Sequence, residues 1–506
     1  MFKSALDVAN GQMIYRDTFS PYGVMTTLLQ ALVLKVFGNQ LYIIQIETAF
    51  FYGLISICLW YIWRLILPKW LTTVSVLIWL FLAPYFVWTM LPWSSVPALL
   101  FQLLSLLIIF RALKDHNRLM IMLSGCIAVF VFWCRQPVGI LHCASIMIFL
   151  YTSSIILDRT KKEAITDCTY FIAGIIVVSL PFLLWFTFNE ALYDMYLQAI
   201  KAPFFGEIIM RNPGVGYNAD KFFFEIGKSF LHVLQKLFPI HYGSGTSPMW
   251  SLIPIVCLYL FFNLIVKEYY NRGRFKNQLH LYGLLLVSLF SWGQYYPTNC
   301  IRHCYWAATP MIGLIPYTIL QFSKRKKKHI QNYIICLVLV SIFGLDISYR
   351  IYYGIRKINN HSIRIKEPEV LRGMYVNSYK LKLYEKMSIS LDNAINNSPY
   401  PYLLNFSNDP LYLTFIGPQE NYHPMYMDLS PLNQFIYPDF NLKRELFIKK
   451  NNPVILGFND TLIPGAICVD SFNVSGFRQQ SKLVLYIFED NKQHNLIGQN
   501  DILQEL

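Results

Sequence analysis

Residues 96–110 read VPALLFQLLSLLIIF, residues 111–118 read RALKDHNR, and residues 119–133 read LMIMLSGCIAVFVFW. Both flanking runs are apolar on every side, whereas a helix at the surface of a soluble core keeps a polar face. Their solvent is therefore hydrocarbon, and the connector holding Arg111, Lys114 and Arg118 reads as the cytoplasmic turn of a membrane hairpin.

Outward from this hairpin the same pattern repeats. Apolar runs lie near 41–63, 70–91, 138–157, 168–188, 249–266, 279–293, 303–321 and 330–350, several of them close to the minimum length for a span. Every second connector is basic: Arg64 and Lys69; Arg159, Lys161 and Lys162; Lys267, Arg272, Arg274 and Lys276; and Lys324 to Lys328. The intervening short connectors hold almost no Lys or Arg, so the basic ones share the cytoplasmic side. The expected fold is mainly α, a polytopic bundle of about ten transmembrane helices.

The whole-chain composition agrees, with 55% hydrophobic and 14% charged residues and a mean hydropathy of +0.38. A formal charge of +14 could suggest nucleic acid, but its location in inter-helix turns assigns it to topology, and no nucleic-acid partner is expected. Cys58, Cys126, Cys143, Cys257 and Cys336 fall inside apolar runs and read as small buried hydrophobes. Cys300 and Cys304 have no second Cys/His pair at zinc spacing, so no metal ligands are assigned.

This topology puts residues 1–40, the connector 189–248 and the tail 351–506 on the extracytoplasmic side. Residues 23–38 read as an amphipathic helix on the membrane surface. The tail is richer in Asn, Pro and charge, with strand-like pieces at 402–406, 453–458 and 482–488, and reads as a small α/β domain. Gly214-Val215-Gly216 lacks the strand and helix of a phosphate loop. HExxH, GxSxG and Walker patterns are absent, which removes support for those hydrolase and ATP-driven chemistries.

Three polar clusters lie at the outer ends of spans, where an ionisable group needs a cavity or a partner. They are Asn10 to Gly23, Trp133 to Gly139, and Gln294 to Trp306. Asp17 is a candidate base toward an acceptor hydroxyl, and Arg135, Arg302 and His303 are candidate holders of a phosphate leaving group. Arg16, Gln136, Asp7 and Gln294 are second choices. Asp17 beside Arg16 also reads as a solvated turn with a local ion pair. Arg135 and Arg302 also read as headgroup anchors, and Trp88, Trp93 and Trp306 as interfacial-belt residues.

The first cluster carries a resemblance. Ala5-Leu6-Asp7-Val8-Ala9-Asn10-Gly11, Tyr15-Arg16-Asp17, Ser20-Pro21-Tyr22-Gly23 and Leu32 to Gly38 resemble the first extracytoplasmic loop of the GT-C glycosyltransferases, which include the protein O-mannosyltransferases and the bacterial aminoarabinose transferase. Arg302-His303, Tyr305-Trp306 and Pro310 look like the late-span segment of bacterial members. The resemblance implies a polyprenyl-phosphate-sugar donor, a first-loop carboxylate base, inversion at the anomeric carbon, and a glycan, lipid or protein acceptor. A divalent cation is a candidate cofactor. Relatives carry a further helix and an acid before the Gly11 equivalent, so both are expected upstream of Met1, and a polypeptide without them is expected to be inactive. A bacterial inner membrane is the expected location, with the endoplasmic reticulum as alternative. A lipid-linked glycan flippase and a glycan polymerase or ligase are the rival functions; the first would usually show an internal repeat, and the second gathers its Arg and His residues in one late loop.

Overall fold

The computed structural model describes residues 2–83, 92–157, 159–203, 249–270, 278–292, 301–323, 326–407, 409–417, 419, 435–458, 465–475 and 480–488. Gln294, Cys300, Trp88, Gly214 to Gly216 and most of the connector 189–248 lie outside them.

The chain opens with α1 (Phe2–Ala9) and α2 (Val24–Phe37). The bundle follows as α3 (Leu41–Arg64), α4 (Lys69–Phe81), α5 (Ser95–Asp115), α6 (Arg118–Cys134), α7 (Gln136–Ile156) and α8 (Lys161–Phe188). It continues through the short α9 (Leu192–Met195), which runs into a wider turn at Tyr196–Lys201, then α10 (Met249–Tyr270) and α11 (Leu279–Ser291). It ends with α12 (Ile301–Ala308), α13 (Leu314–Ser323) and α14 (Lys328–Asn360). Among the described residues α3, α5, α7, α8 and α14 are long and apolar enough to cross a membrane, and α2, α4, α6, α10 and α11 contribute shorter apolar helices.

The 96–133 hairpin forms as expected. His116 closes α5 in the left-handed conformation, and the Asn117 side chain accepts from the Met120 amide at the start of α6. Gly125 of α6 and Gly174 of α8 let those helices touch backbone to backbone. A Cβ on either would lie 2.1 Å from a carbonyl oxygen, that of Phe171 or Met122. The outer face of α8 exposes Ile172, Ile176, Val177, Leu180, Leu183 and Leu184. Apolar residues in that number have no soluble explanation other than lipid.

The run expected at 303–321 is not one helix. It breaks at Thr309–Met311, where Pro310 cannot continue the helical hydrogen bonding. The break survives inside the bundle because its polar groups find partners: Trp63 Nε1 donates to the Pro310 carbonyl at 3.3 Å and Trp79 Nε1 to Thr309 Oγ1 at 2.9 Å.

After α14 comes the α/β tail, with β1 (Ile363–Arg364), β2 (Tyr375–Val376), α15 (Ser378–Asn396), β3 (Tyr400–Asn405), α16 (Phe440–Asn451), β4 (Pro453–Phe458), β5 (Ala466–Ser475) and β6 (Gln480–Phe488). The main sheet has the order β3-β4-β6-β5. β3 and β4 are parallel, which requires the long crossover containing α16, while β4–β6 and β5–β6 are antiparallel. Its core continues into the first helices: Phe2, Ala5, Leu6, Leu34, Ile43 and Ile44 pack with Leu371, Met387, Leu391, Leu413 and Leu456. The tail is thereby seated on the end of the bundle where α1, α2 and the first turn of α3 lie.

Candidate functional site

The polar loop between α1 and α2 is held from within. Asp7 is buried, forms an ion pair with Lys3 one turn away, and accepts from Thr18 Oγ1 at 2.8 Å. Ser4 Oγ donates to the Phe19 carbonyl at 2.7 Å. Gln198, fully buried on the turn after α9, accepts from the Ser20 amide at 3.0 Å and donates to the Tyr15 carbonyl at 2.7 Å and to the Tyr437 hydroxyl at 2.9 Å. Tyr437 in turn donates to Asp194 at 2.7 Å. Sequence reading did not single out Gln198, because nothing local distinguishes a glutamine in Tyr196–Lys201.

Asp17 lies at the rim of this loop. Its carboxylate accepts from the Met13 amide at 2.7 Å and from Arg16 Nε and Nη2 at 2.8 and 3.0 Å, while Arg16 Nη1 donates to the Asn189 carbonyl at 3.1 Å. Partial burial works to raise the Asp17 carboxyl, but the Arg16 and Met13 hydrogen bonds and the Arg16 charge outweigh it and hold the group below its ordinary value. The local ion pair anticipated beside the catalytic reading is thus present.

The arginines gather a short way off. Arg135 sits in extended conformation between α6 and α7, with φ −151°, which aims its buried side chain across the bundle. It donates to Ser95 Oγ at the start of α5, and its Nη2 lies 3.5 Å from His303 Nε2 on α12. Arg302 stacks its guanidinium over Trp93, 5.0 Å from the ring centroid. Trp93 also stacks on Trp306 and meets Tyr22 of the first loop, with centroids 6.2 and 6.1 Å apart. Trp306, expected in an interfacial belt, is instead buried and donates to the Tyr52 hydroxyl at 3.3 Å.

Arg135, from the α6–α7 junction, and Arg302 and His303, from α12, thus converge around an aromatic wall that reaches the first loop through Tyr22. Gln136, a second choice, is buried beside Arg135 with both amide atoms lacking a hydrogen-bond partner among the described residues. Gln30 Oε1, Ser94 Oγ and Glu47 Oε1 are also buried without one. Such atoms cost stability unless a ligand or water meets them. Two adjacent arginines and an imidazole fit an anion such as a phosphate ester. They do not suit a divalent cation, and among the described residues no three His, Cys, Asp or Glu converge as metal ligands. A separate cleft of about 530 Å³ lies at the opposite end of α5, where Asp167 pairs with Arg159 at 3.0 Å and Arg118 at 3.6 Å.

The architecture is a multi-pass membrane bundle with an arginine- and histidine-bearing polar cluster among its helices and an α/β tail seated on α1, α2 and the start of α3. It has the GT-C fold. The described chain superposes on the archaeal oligosaccharyltransferase AglB from Archaeoglobus fulgidus in complex with an inhibitory peptide and a dolichol-phosphate, with a TM-score of 0.52. It superposes on the apo form of the same organism's oligosaccharyltransferase with a TM-score of 0.53. Identity is 10% in each case, over 90% of this chain and 65% of the archaeal one, so this chain spans about two thirds of that protein's length. Residues 21–185 match the dolichyl-phosphate-mannose-protein mannosyltransferase family model. These two findings bear out the resemblance to the GT-C superfamily of membrane glycosyltransferases. No curated protein sequence matches the chain.

Proposed function

We propose that this protein transfers a sugar from a polyprenyl-phosphate donor to a hydroxyl of a lipid-linked glycan, lipid or protein at the extracytoplasmic face of the membrane. The observation that carries the proposal is the convergence of Arg135, His303 and Arg302 about Trp93, which meets Tyr22 of the first loop. In a site screened from water, fixed guanidiniums stabilise charge as it develops on a leaving phosphate, and they do so more strongly than in bulk solvent. Trp93, Trp306 and Tyr22 offer flat faces for a sugar ring or prenyl chain, and Gln136 and Ser94 offer hydrogen bonds to sugar hydroxyls. Asp17 takes the acceptor-orienting role at the loop rim, since its carboxylate already accepts from Arg16 and Met13. Transfer is a single displacement with inversion. The tail, residues 351–506, roofs the site, and the bacterial inner membrane is the proposed location. The dolichol-phosphate and inhibitory peptide of the archaeal structure support a lipid-phosphate donor and keep a protein acceptor in view.

The test is turnover of a polyprenyl-phosphate sugar by purified full-length protein in lipid, with Arg302→Ala and Asp17→Asn beside wild type. Arg302→Ala is expected to lower turnover by roughly 100-fold. Wild-type rates in both variants would remove these roles.

A further inference from the structure

The cleft at the far end of α5 stands apart from the arginine and aromatic cluster. Arg135 touches α5 at its first residue, Ser95, whereas the cleft is lined by Ala112 and Asp115 of the same helix. At about 1.5 Å per residue the two lie roughly 30 Å apart, a distance that takes them to opposite faces of a bilayer. A volume of about 530 Å³ is that of a small-molecule site. The α5–α6 turn supplies residues 116–119 to its lining, and Arg159, Glu163 and Asp167 come from the start of α8 and the turn before it.

Three acids line this cleft, and each is already engaged. Asp167, only 2% exposed, lies 3.0 Å from Arg159 Nη1 and 3.6 Å from Arg118 Nε. Asp115 pairs with Arg111 at 2.5 Å, and Glu163 accepts from the Thr160 amide and hydroxyl at 3.0 and 3.1 Å. The donors are more open. Arg118, with 47% of its side chain exposed, holds its Nε beyond hydrogen-bond reach of Asp167, and its guanidinium makes no hydrogen bond among the described residues. Asn117 uses its side-chain oxygen to accept from the Met120 amide at 3.2 Å, which leaves Nδ2 to donate. His116 meets Arg159 through Nδ1; a guanidinium only donates, so Nε2 is the ring nitrogen left to donate. A cleft whose acids are taken and whose N–H groups are open suits an anion.

We propose that this cleft binds the headgroup of an anionic phospholipid from the leaflet on that side. The phosphate oxygens accept from Arg118, from Asn117 Nδ2 and from His116 Nε2, while exposed Lys114, Lys161 and Lys162 on the same two turns draw negative headgroups toward the opening. An ammonium headgroup finds no uncommitted carboxylate here, which favours a net-negative lipid over a zwitterionic one. The source is membrane lipid rather than free phosphate because the lining continues into an apolar, exposed strip: Leu119, itself part of the cleft, is 67% exposed, and Leu123 one turn further along α6 is 47% exposed. That strip gives an acyl chain a surface to lie on. The site is separate from the sugar-transfer cluster and holds whether or not the chain transfers sugar.

The test is binding of dioctanoyl-phosphatidylglycerol to the full-length protein in neutral detergent, read by native mass spectrometry and by the thermal midpoint. Dioctanoyl-phosphatidylcholine and inorganic phosphate serve as the other ligands. Wild type is expected to take up phosphatidylglycerol saturably with a raised midpoint, and neither of the others at the same concentration. Arg118→Gln is expected to weaken phosphatidylglycerol binding about tenfold, and Arg118→Lys to weaken it less. Lys69→Gln, on a different basic turn, is expected to leave it unchanged. Wild-type affinity in both Arg118 variants overturns the site, as does an equal loss in Lys69→Gln, which would reduce the effect to diffuse surface charge. Phosphatidylcholine bound as tightly as phosphatidylglycerol overturns the headgroup assignment, and inorganic phosphate displacing the lipid at equal concentration overturns the lipid as its source. Should Arg118→Gln fail to fold, Arg118→Lys and Lys69→Gln carry the same comparison.

Discussion

Arg135 Nη2 and His303 Nε2 stand 3.5 Å apart across 168 positions of sequence, joining the α6–α7 hinge to the broken helix α12. A guanidinium only donates, so a hydrogen bond between the two requires Nε2 of His303 to be the accepting nitrogen. Arg135→Ala is expected to lower turnover by about 100-fold, and Arg135→Lys to recover only part of it, because an ammonium cannot serve Ser95, His303 and a phosphate from one planar fork. Equal rates for wild type and both variants in a lipid-sugar assay would contradict this.

Gln198 binds the first loop to the tail side through three hydrogen bonds. Gln198→Leu strands the buried Ser20 amide and Tyr15 carbonyl, at about 1–3 kcal/mol for each group left unsatisfied. A lower unfolding temperature in detergent and faster proteolysis within residues 10–23 are the expected readouts; an unchanged digestion pattern would speak against the clamp.

Gly23 meets the Trp133 backbone so closely that a Cβ would lie 2.0 Å from the carbonyl oxygen. Neither backbone can yield cheaply, so Gly23→Ala should destabilise by about 1–3 kcal/mol or more. It should also loosen the Tyr22–Trp93 contact, readable as a change in tryptophan fluorescence. A thermal midpoint equal to wild type would refute the close approach.

Lys3 and Asp7 form a buried pair. Lys3→Met leaves the Asp7 charge uncompensated, at about 3–5 kcal/mol, whereas adding Asp7→Asn should return much of the loss. Double-mutant denaturation measures the coupling, and additive effects would exclude it.

The Asp17 carboxyl is held below its ordinary value of 3.8. Its contribution to loop stability is therefore complete above that value and is lost as pH falls through the lowered one. Proteolytic protection of residues 10–23 should persist to about pH 4 and fade below it, and Asp17→Asn should lack that acid transition. A transition unchanged in the variant would assign it to another group.

Much of the fold was open to reading along the chain. Apolar runs, the basic turns at Arg111–Arg118 and Arg159–Lys162, and the strand pieces at 453–458 and 482–488 all express local solvation or local backbone preference. β5 escaped notice because its alternation is diluted by Asp470, Ser471 and Asn473, and its place was set by pairing with β6. The break at Pro310 was hidden inside an apolar run.

The candidate site was legible where residue type alone is informative: an arginine or histidine at the end of a hydrocarbon-length helix is conspicuous wherever it sits. The burial of Glu47 was not, since nothing in Ile43 to Ala49 says whether its carboxylate meets lipid, a cation or other buried polar groups. Those alternatives depend on which faces of α2, the α6–α7 hinge and the tail come together, and distance in space is not a property of any one segment. Hydropathy and charge spacing therefore decided that this chain is a membrane bundle with a polar tail. Packing decided which of its charged groups lie together, because burial and pairing arise only when remote helices close around the same point.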